Sequence, residues 1–272
     1  MDRKPKDNSG DRMADVQNMP DYRGLDVDKV GIKDIKYPIT VLDKRNKTQQ
    51  TVANINMYVN LPHNFKGAHM SRFVEILNKY RGHIDVKSIP GILKAMKQRL
   101  NAESAHLEVE FPYFIEKRAP ISGERSLMEY ICRFKGTLTD KIDIVVEVEV
   151  PIHTLCPCSK EISAKSAHNQ RGIAKVAYRA SDFVWIEDII QLIEGSSSSE
   201  VYALLKREDE KFVTEYAYDN PRFVEDVVRE IADKLLKRSD ITWFSIEVEN
   251  FESIHKHNAY AYMEHDKRSR RS

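Results

Sequence analysis

Between Ile142 and Val150 the chain alternates. Ile142, Ile144, Val146, Val148 and Val150 fall on one side, and Asp143, Val145, Glu147 and Glu149 on the other. In an extended strand a period of two sends each set to its own face. The stretch therefore predicts a mostly one-sided strand, apolar towards a core and polar towards water. Residues 127–150 are long enough for a hairpin turned around Thr139, Asp140 and Lys141. A half-buried antiparallel sheet needs further strands and a layer to cover its apolar face.

The rest of the chain predicts both. Strand patterns occur over residues 35–42, 50–61 (Val52, Ile55, Met57, Val59), 106–117 (Leu107, Val109, Phe111), 173–180, 241–249 and 259–264. A helical period follows His69, with Ser71 as a cap, Phe73, Val74, Ile76, Leu77 and Tyr80 as an apolar stripe, and Gly82 as its end. A second helix starts near Pro90 and runs through Ile92, Leu93, Met96 and Leu100. Helices are also expected over 184–194, ended by Gly195 and a linker of four serines, and over 200–206. The strongest spans 221–237, burying Phe223, Val224, Val227, Val228, Ile231, Leu235 and Leu236. Strands, two helices and long antiparallel strands, roughly twice over, predict an α+β chain of two similar modules. The expected divisions are a flexible arm over 1–28, modules over 29–155 and 156–266, and a solvated basic tail over 267–272.

Composition narrows the class. Of 272 residues, 41% are hydrophobic and 31% charged, which describes a soluble globular protein. Apolar runs such as Ile144-Val145-Val146 are far too short to cross a bilayer, and no apolar segment follows the basic N-terminal residues as a secretory signal requires. Three cysteines, an odd number, argue against a disulfide framework and for a reducing, cytoplasmic setting. A net charge of +1 gives no reason to expect nucleic-acid binding.

The chemistry concentrates in Leu155-Cys156-Pro157-Cys158-Ser159-Lys160-Glu161-Ile162-Ser163, followed by His168-Asn169-Gln170-Arg171-Gly172. So many polar groups make a poor core element, and the run reads as a loop. The two cysteines are open to four readings: redox pair, metal ligands, catalytic thiol or inert pair. Pro157 stiffens the backbone between them and aims the sulfurs apart, which fits one on a metal and one facing a substrate. His168 reads as a surface residue or, with its polar neighbours, as part of a site for a purine or phosphate. His255 and His257, if extended, point to opposite sides. The run Arg207-Glu208-Asp209-Glu210-Lys211 reads as an exposed turn, and Glu225 beside Asp226 as a partner of a helix dipole. Ser71 and Arg72 at a helix start offer either a phosphate cradle or a plain cap with a surface arginine. A thiolate, an imidazole and a carboxylate on one metal leave a position for water. The residues alone thus reach a metal-assisted hydrolase of a polar, phosphorylated small molecule, with a structural metal clip in a binding module as the alternative.

The Cys-Pro-Cys-Ser-Lys-Glu-Ile-Ser run with His-Asn-Gln-Arg-Gly resembles the signature of the type IB GTP cyclohydrolase I family. So do Gly67-Ala68-His69-Met70-Ser71-Arg72-Phe73, Asp209-Glu210-Lys211, Pro221-Arg222-Phe223-Val224-Glu225-Asp226 and Glu252-Ser253-Ile254-His255-Lys256-His257-Asn258. The resemblance runs from about Val30 to the C-terminal region. It implies a tunnelling fold, a homotetramer with sites near subunit interfaces, and conversion of GTP and water to 7,8-dihydroneopterin triphosphate and formate in folate synthesis. It also implies a divalent metal, manganese, zinc or iron, on Cys156, His168 and Glu210. His255 would be close by, Cys158 would face the reacting ring, and Glu225 would hold the guanine. Ser71, Arg72, Lys160 and Arg171 are the expected triphosphate partners, since four negative charges need cations. Two other tunnelling-fold activities stand as alternatives: an archaeal-type cyclohydrolase making a cyclic phosphate, and a deazaguanine nitrile reductase. The reductase needs a nicotinamide cofactor, and its Glu-Ser-Lys-type motif is not visible here.

Overall fold

The computed structural model describes residues 17, 19–82 and 84–268. Most of the expected arm (1–16 and 18) and residues 269–272 of the tail lie outside the described residues. Where the arm is described it is tied down: Gly67 N–H donates to Gln17 O at 3.1 Å and Lys66 N–H to Met19 O at 3.0 Å.

The predicted alternation builds one antiparallel sheet. In chain order the elements are β1 (Val27–Asp43), β2 (Lys47–Leu61), α1 (Met70–Lys79), α2 (Ile89–Leu100), β3 (Ala105–Arg118), β4 (Arg125–Leu138) and β5 (Ile142–Leu155). Then come α3 (Pro157–Ile162), β6 (Asn169–Ala180), α4 (Ile186–Glu194), β7 (Ser199–Glu200), α5 (Arg207–Asp219), α6 (Val224–Leu236), β8 (Ile241–Asn250) and β9 (Ala259–Asp266). The strands lie in the order β1-β2-β3-β4-β5-β6-β8-β9, with β7 paired to β5. The order strand-strand-helix-helix-strand-strand occurs over β1–β4 and again over β5, β6, α4, α6, β8 and β9. The turn expected at 139–141 joins β4 to β5, and residue 155, the expected end of the first module, falls inside the antiparallel β5–β6 pair.

One face of the sheet is the core. Val146, Val148, Val150 and Ile152 of β5 are buried beside Phe134 and Cys132 of β4 and Tyr178, Val176 and Ala174 of β6. Helices α1, α2, α4 and α6 add Phe73, Ile92, Leu93, Ile189, Ile193, Val227 and Ile231 to the same cluster. The opposite face is laced with ion pairs: Arg133 Nη1 lies 2.8 Å from Glu147 and 2.5 Å from Glu149, and Lys135 Nζ 2.7 Å from Glu147. Burial raises the Glu147 carboxyl, but the Lys135 and Arg133 charges and hydrogen bonds outweigh it and hold it below the usual carboxylate range.

Local expectations changed where tertiary contacts took over. Helix α1 runs to Lys79, and the turn over 80–82 that stops it closes on Gly82 at φ +80°. His69 occupies the cap position and Ser71 lies inside the helix. The serine linker is a packed segment: Ser196 and Ser198 are fully buried, and Ser198 Oγ accepts from Leu155 N–H at 3.1 Å. Hydroxyls that bond backbone let small polar residues fill a tight interior site. No helix forms over 200–206. The next helix is α5, which begins at Arg207 where Asp209 accepts from Lys206 N–H at 2.9 Å.

The pairings Asp43↔Lys47, Arg118↔Arg125, Leu155↔Asn169 and Asn250↔Ala259 bring four connections to one end of the sheet: 44–46, 119–124, 156–168 and 251–258. The first two are short turns, and the last two hold Cys156, Cys158 and His168, and His255 and His257.

Candidate active site

The cysteine run folds as a short helix, not as an irregular loop. Cys156 is the cap of α3 with Pro157 in the first turn, and its Sγ accepts from Ser159 N–H at 3.4 Å. Proline suits that position because its missing N–H has no helical partner there. None of the residues of α3 is buried, so the helix is not there for packing. Cys156 is half-buried and Cys158 exposed, so the two sulfurs do occupy different surroundings.

His168 closes the segment onto Cys156. Cys156 N–H donates to His168 O at 3.1 Å, and His168 N–H donates to Ser159 Oγ at 3.1 Å. The His168 ring Nδ1 is 3.0 Å from Gln170 Oε1. Buried Gln170 gives its Nε2 to Thr154 Oγ1 at 3.1 Å, which turns its oxygen to the imidazole. Nδ1 then carries the ring proton, and Nε2 presents a lone pair. An imidazole held this way by a partner behind it is the usual form of a metal-binding histidine.

Two further segments converge here. Arg222 N–H donates to Leu155 O at 3.0 Å, seating the start of α6 beside Cys156. Asp226 caps that helix by accepting from Phe223 N–H at 3.0 Å, which leaves Glu225 exposed in the first turn and not engaged as the cap. From the other side, Phe251 N–H donates to Arg171 O at 2.9 Å, and Ser253 Oγ lies 3.4 Å from His168 Nδ1. His255 and His257 do not point apart. The segment bends over 253–257, and their rings stack at 5.1 Å and 21°.

Residues 13–261 match the family described as type I GTP cyclohydrolase FolE2. The chain belongs to that family. It is 60% identical to the GTP cyclohydrolase FolE2 of Geobacter metallireducens, over 94% of this chain and 98% of that one. With the FolE2 of Geobacter sulfurreducens it shares 61% over 94% and 99%. Among solved structures, the uricase of Arthrobacter globiformis covers 90% of this chain and 95% of its own at a TM-score of 0.54 and 8% identity. A thermostable urate oxidase of Bacillus sp. TB-90 covers 89% and 99% at 0.53 and 9%. At these identities the likeness is one of fold, and the fold is the tunnelling fold.

Within this FolE2-family chain, Cys156, Cys158, His168, Arg171, Glu225 and His255 gather at one sheet end. Other expected residues are placed differently. Glu210 is exposed near the start of α5; among the described residues no three of His, Cys, Asp and Glu form a metal-ready group. Its neighbour Asp209 is the anchor of that helix. Fully buried, Asp209 accepts from Ile121 N–H and Ser122 N–H at 2.8 Å and from Ser122 O–H at 2.5 Å. Burial raises its carboxyl, yet those bonds and the one from Lys206 hold it well below the usual range. Lys160 donates to Tyr218 O and lies 4.2 Å over the Tyr218 ring, so it clamps α3 to the end of α5. Arg72 donates to Arg99 O at 2.9 Å and lines a small cavity with Asn60, Leu61 and Asn101. That cavity is at the other end of the strands, about 40 Å from Cys156 at 3.3 Å per residue along β5. Ser71 and Arg72 therefore cannot meet Cys156 within one chain.

The sequence reading missed Asp209, Thr154 and Ser198. Asp209 sits in a run of charges where nothing local separates a buried anchor from solvated neighbours. Thr154 lies on the inward side of β5 by continuation of the alternation over Ile142–Val150, a signal that was available.

Proposed function

We propose that the protein is a metal-dependent GTP cyclohydrolase I, converting GTP and water to 7,8-dihydroneopterin triphosphate and formate, the first step of tetrahydrofolate synthesis. The observation that supports this most directly is the backbone bond from Cys156 N–H to His168 O, which brings one thiol-bearing and one imidazole-bearing residue to the same turn. The Gln170–Thr154 pair behind His168 fits a divalent ion, because it fixes the ring proton away from the donor nitrogen. Cys156 and His168 would hold the ion with Glu210; manganese, zinc or iron would serve there. When bound, it supplies a Lewis acid and a water activated near neutral pH.

The chain's own residues do the rest. The Glu225 carboxylate, exposed in the first turn of α6, accepts from N1–H and the exocyclic amine of the guanine. Cys158, exposed on α3, gives and takes protons at the imidazole ring of the guanine as it opens and loses C8 as formate. His255, on the segment held to Arg171 and His168, stands beside it. Arg171 supplies positive charge to the triphosphate from the same subunit, and Lys160 would join it only by leaving the Tyr218 carbonyl and ring that hold it here. Ser71 and Arg72 reach it only from another copy, which supports a homotetramer with sites between subunits. The two six-element halves are the two tunnelling modules, and the setting is cytoplasmic.

To test this, metal-stripped protein reloaded with manganese or zinc is incubated with GTP. Formate and, after oxidation, a fluorescent pterin carrying a linear triphosphate are expected. No product overturns the reading, and a cyclic phosphate product moves it to the archaeal-type reaction.

A further inference from the structure

Between β7 and α5 the chain crosses residues 201–206 with no ladder or helix of its own, and the pairing of β7 with β5 stops at Glu200. A stretch whose backbone lacks regular partners opens easily unless other groups hold it. Two holds are present, and both come from the end of β3 and the turn that follows it. At the far end of the stretch, Asp209 accepts from Ile121 N–H, Ser122 N–H and Ser122 O–H.

At its start stands Lys117, a side chain only 10% exposed that the proposed chemistry does not use. Its Nζ donates to Val201 O at 3.0 Å and to Glu194 Oε1 at 2.7 Å. It also pairs with Glu200 Oε2 at 2.8 Å and lies 4.5 Å over the Tyr202 ring. Tyr130 O–H donates to the same Glu194 oxygen at 2.7 Å. One ammonium therefore ties the end of α4, β7 and the first two residues of the unpaired stretch to β3. A charge this far out of water is held in one place by its partners, and removing it leaves both carboxylates without it.

We infer that Lys117 is a positioning residue for Glu210. It fixes where the 201–206 stretch starts, as Asp209 fixes where it ends, and so sets the first turn of α5 relative to Cys156 and His168. The inference rests on the proposed reading of Glu210 as a metal ligand.

The test uses full-length, metal-stripped protein. Lys117→Met removes the charge and keeps the length of the side chain. Lys117→Met with Glu194→Gln also removes the buried carboxylate left behind, and serves where the first variant does not fold. Zinc affinity is read by competition with a chromogenic chelator, and backbone hydrogen exchange by mass spectrometry. Either variant should bind zinc about tenfold more weakly and exchange faster over 201–210, with exchange in β6 and β8 unchanged. Glu210→Ala should itself weaken zinc, and Lys117→Met added to it should weaken it no further than about twofold, because a residue acting through Glu210 is not additive with its loss. An additive loss in the double variant, or exchange over 201–210 equal to the parent's, overturns the inference. Zinc affinity untouched by Glu210→Ala overturns the ligand reading on which the inference rests, and faster exchange over 201–210 in Lys117→Met distinguishes that failure from failure of the clamp.

Discussion

The two halves of the sheet share one order of elements and differ in what joins them. In the first half, the hairpins β1–β2 and β3–β4 close through the short connections 44–46 and 119–124. In the second, the connections at the same end are 156–168 and 251–258, and β7 and α5 are added between α4 and α6. Cys156, Cys158, His168, Glu210, Glu225 and His255 all lie in the second half. The order of elements is common to both, and the proposed site residues fall in the half with the longer connections. The first half still takes part: its 119–124 turn holds Asp209, and thereby the start of the helix that carries Glu210.

The largest break in that asymmetry is Cys156→Ala. It should cost on the order of a thousandfold in GTP turnover, with loss of bound metal by elemental analysis and little change in melting temperature. Full activity with normal metal content would remove Cys156 from the site. Next come the residues behind the ligands. Gln170→Ala and Asp209→Ala should each lower metal affinity about 10- to 100-fold, read by competition with a chromogenic chelator. Gln170 would act through His168 and Asp209 through α5. An affinity that does not move in Asp209→Ala would mean that the first half's turn has no part in placing Glu210.

Arg72→Ala probes whether the first half of one copy serves the second half of another. It should raise KM for GTP about tenfold with metal retained. Unfolding and refolding Arg72→Ala together with Cys156→Ala should restore turnover above either alone, since mixed assemblies would contain some intact sites. No recovery in such mixtures would argue against sites shared between subunits.

The smallest effect is expected at the β4–β5 pair, on the face away from the helices. Glu147→Gln should cost about 1–3 kcal/mol by denaturant unfolding and leave turnover per folded molecule unchanged. The folded Glu147 carboxyl is held below its ordinary value by Lys135 and Arg133 against the cost of burial. Its contribution is therefore present above the ordinary carboxylate range and disappears as pH falls through the lowered folded value. The Gln variant should lose less stability on acidification than the parent.

Much of this was legible in the residues. The two-residue period over Ile142–Val150 and the helical stripe of α6 encode which side faces a core, because strand and helix geometry make those periods local properties. The cysteine and histidine motifs carried the family, and Cys156 and His168 do meet. The 196–199 serines and the 200–206 segment were misread for one physical reason: their state depends on β5 and on Lys206–Asp209, partners that no local pattern contains. His255 and His257 were expected to point apart only in an extended chain, and the segment bends instead.

What the sequence determined by itself was the alternation, the fold class and the family. Only the tertiary structure decided that Asp209 is a buried anchor while Glu210 beside it is exposed, and that Gln170 orients His168. It also set Arg72 at the far end of the strands from Cys156. Each of these depends on register and on contacts between segments distant in the chain, and those are settled by which surfaces the whole sheet buries.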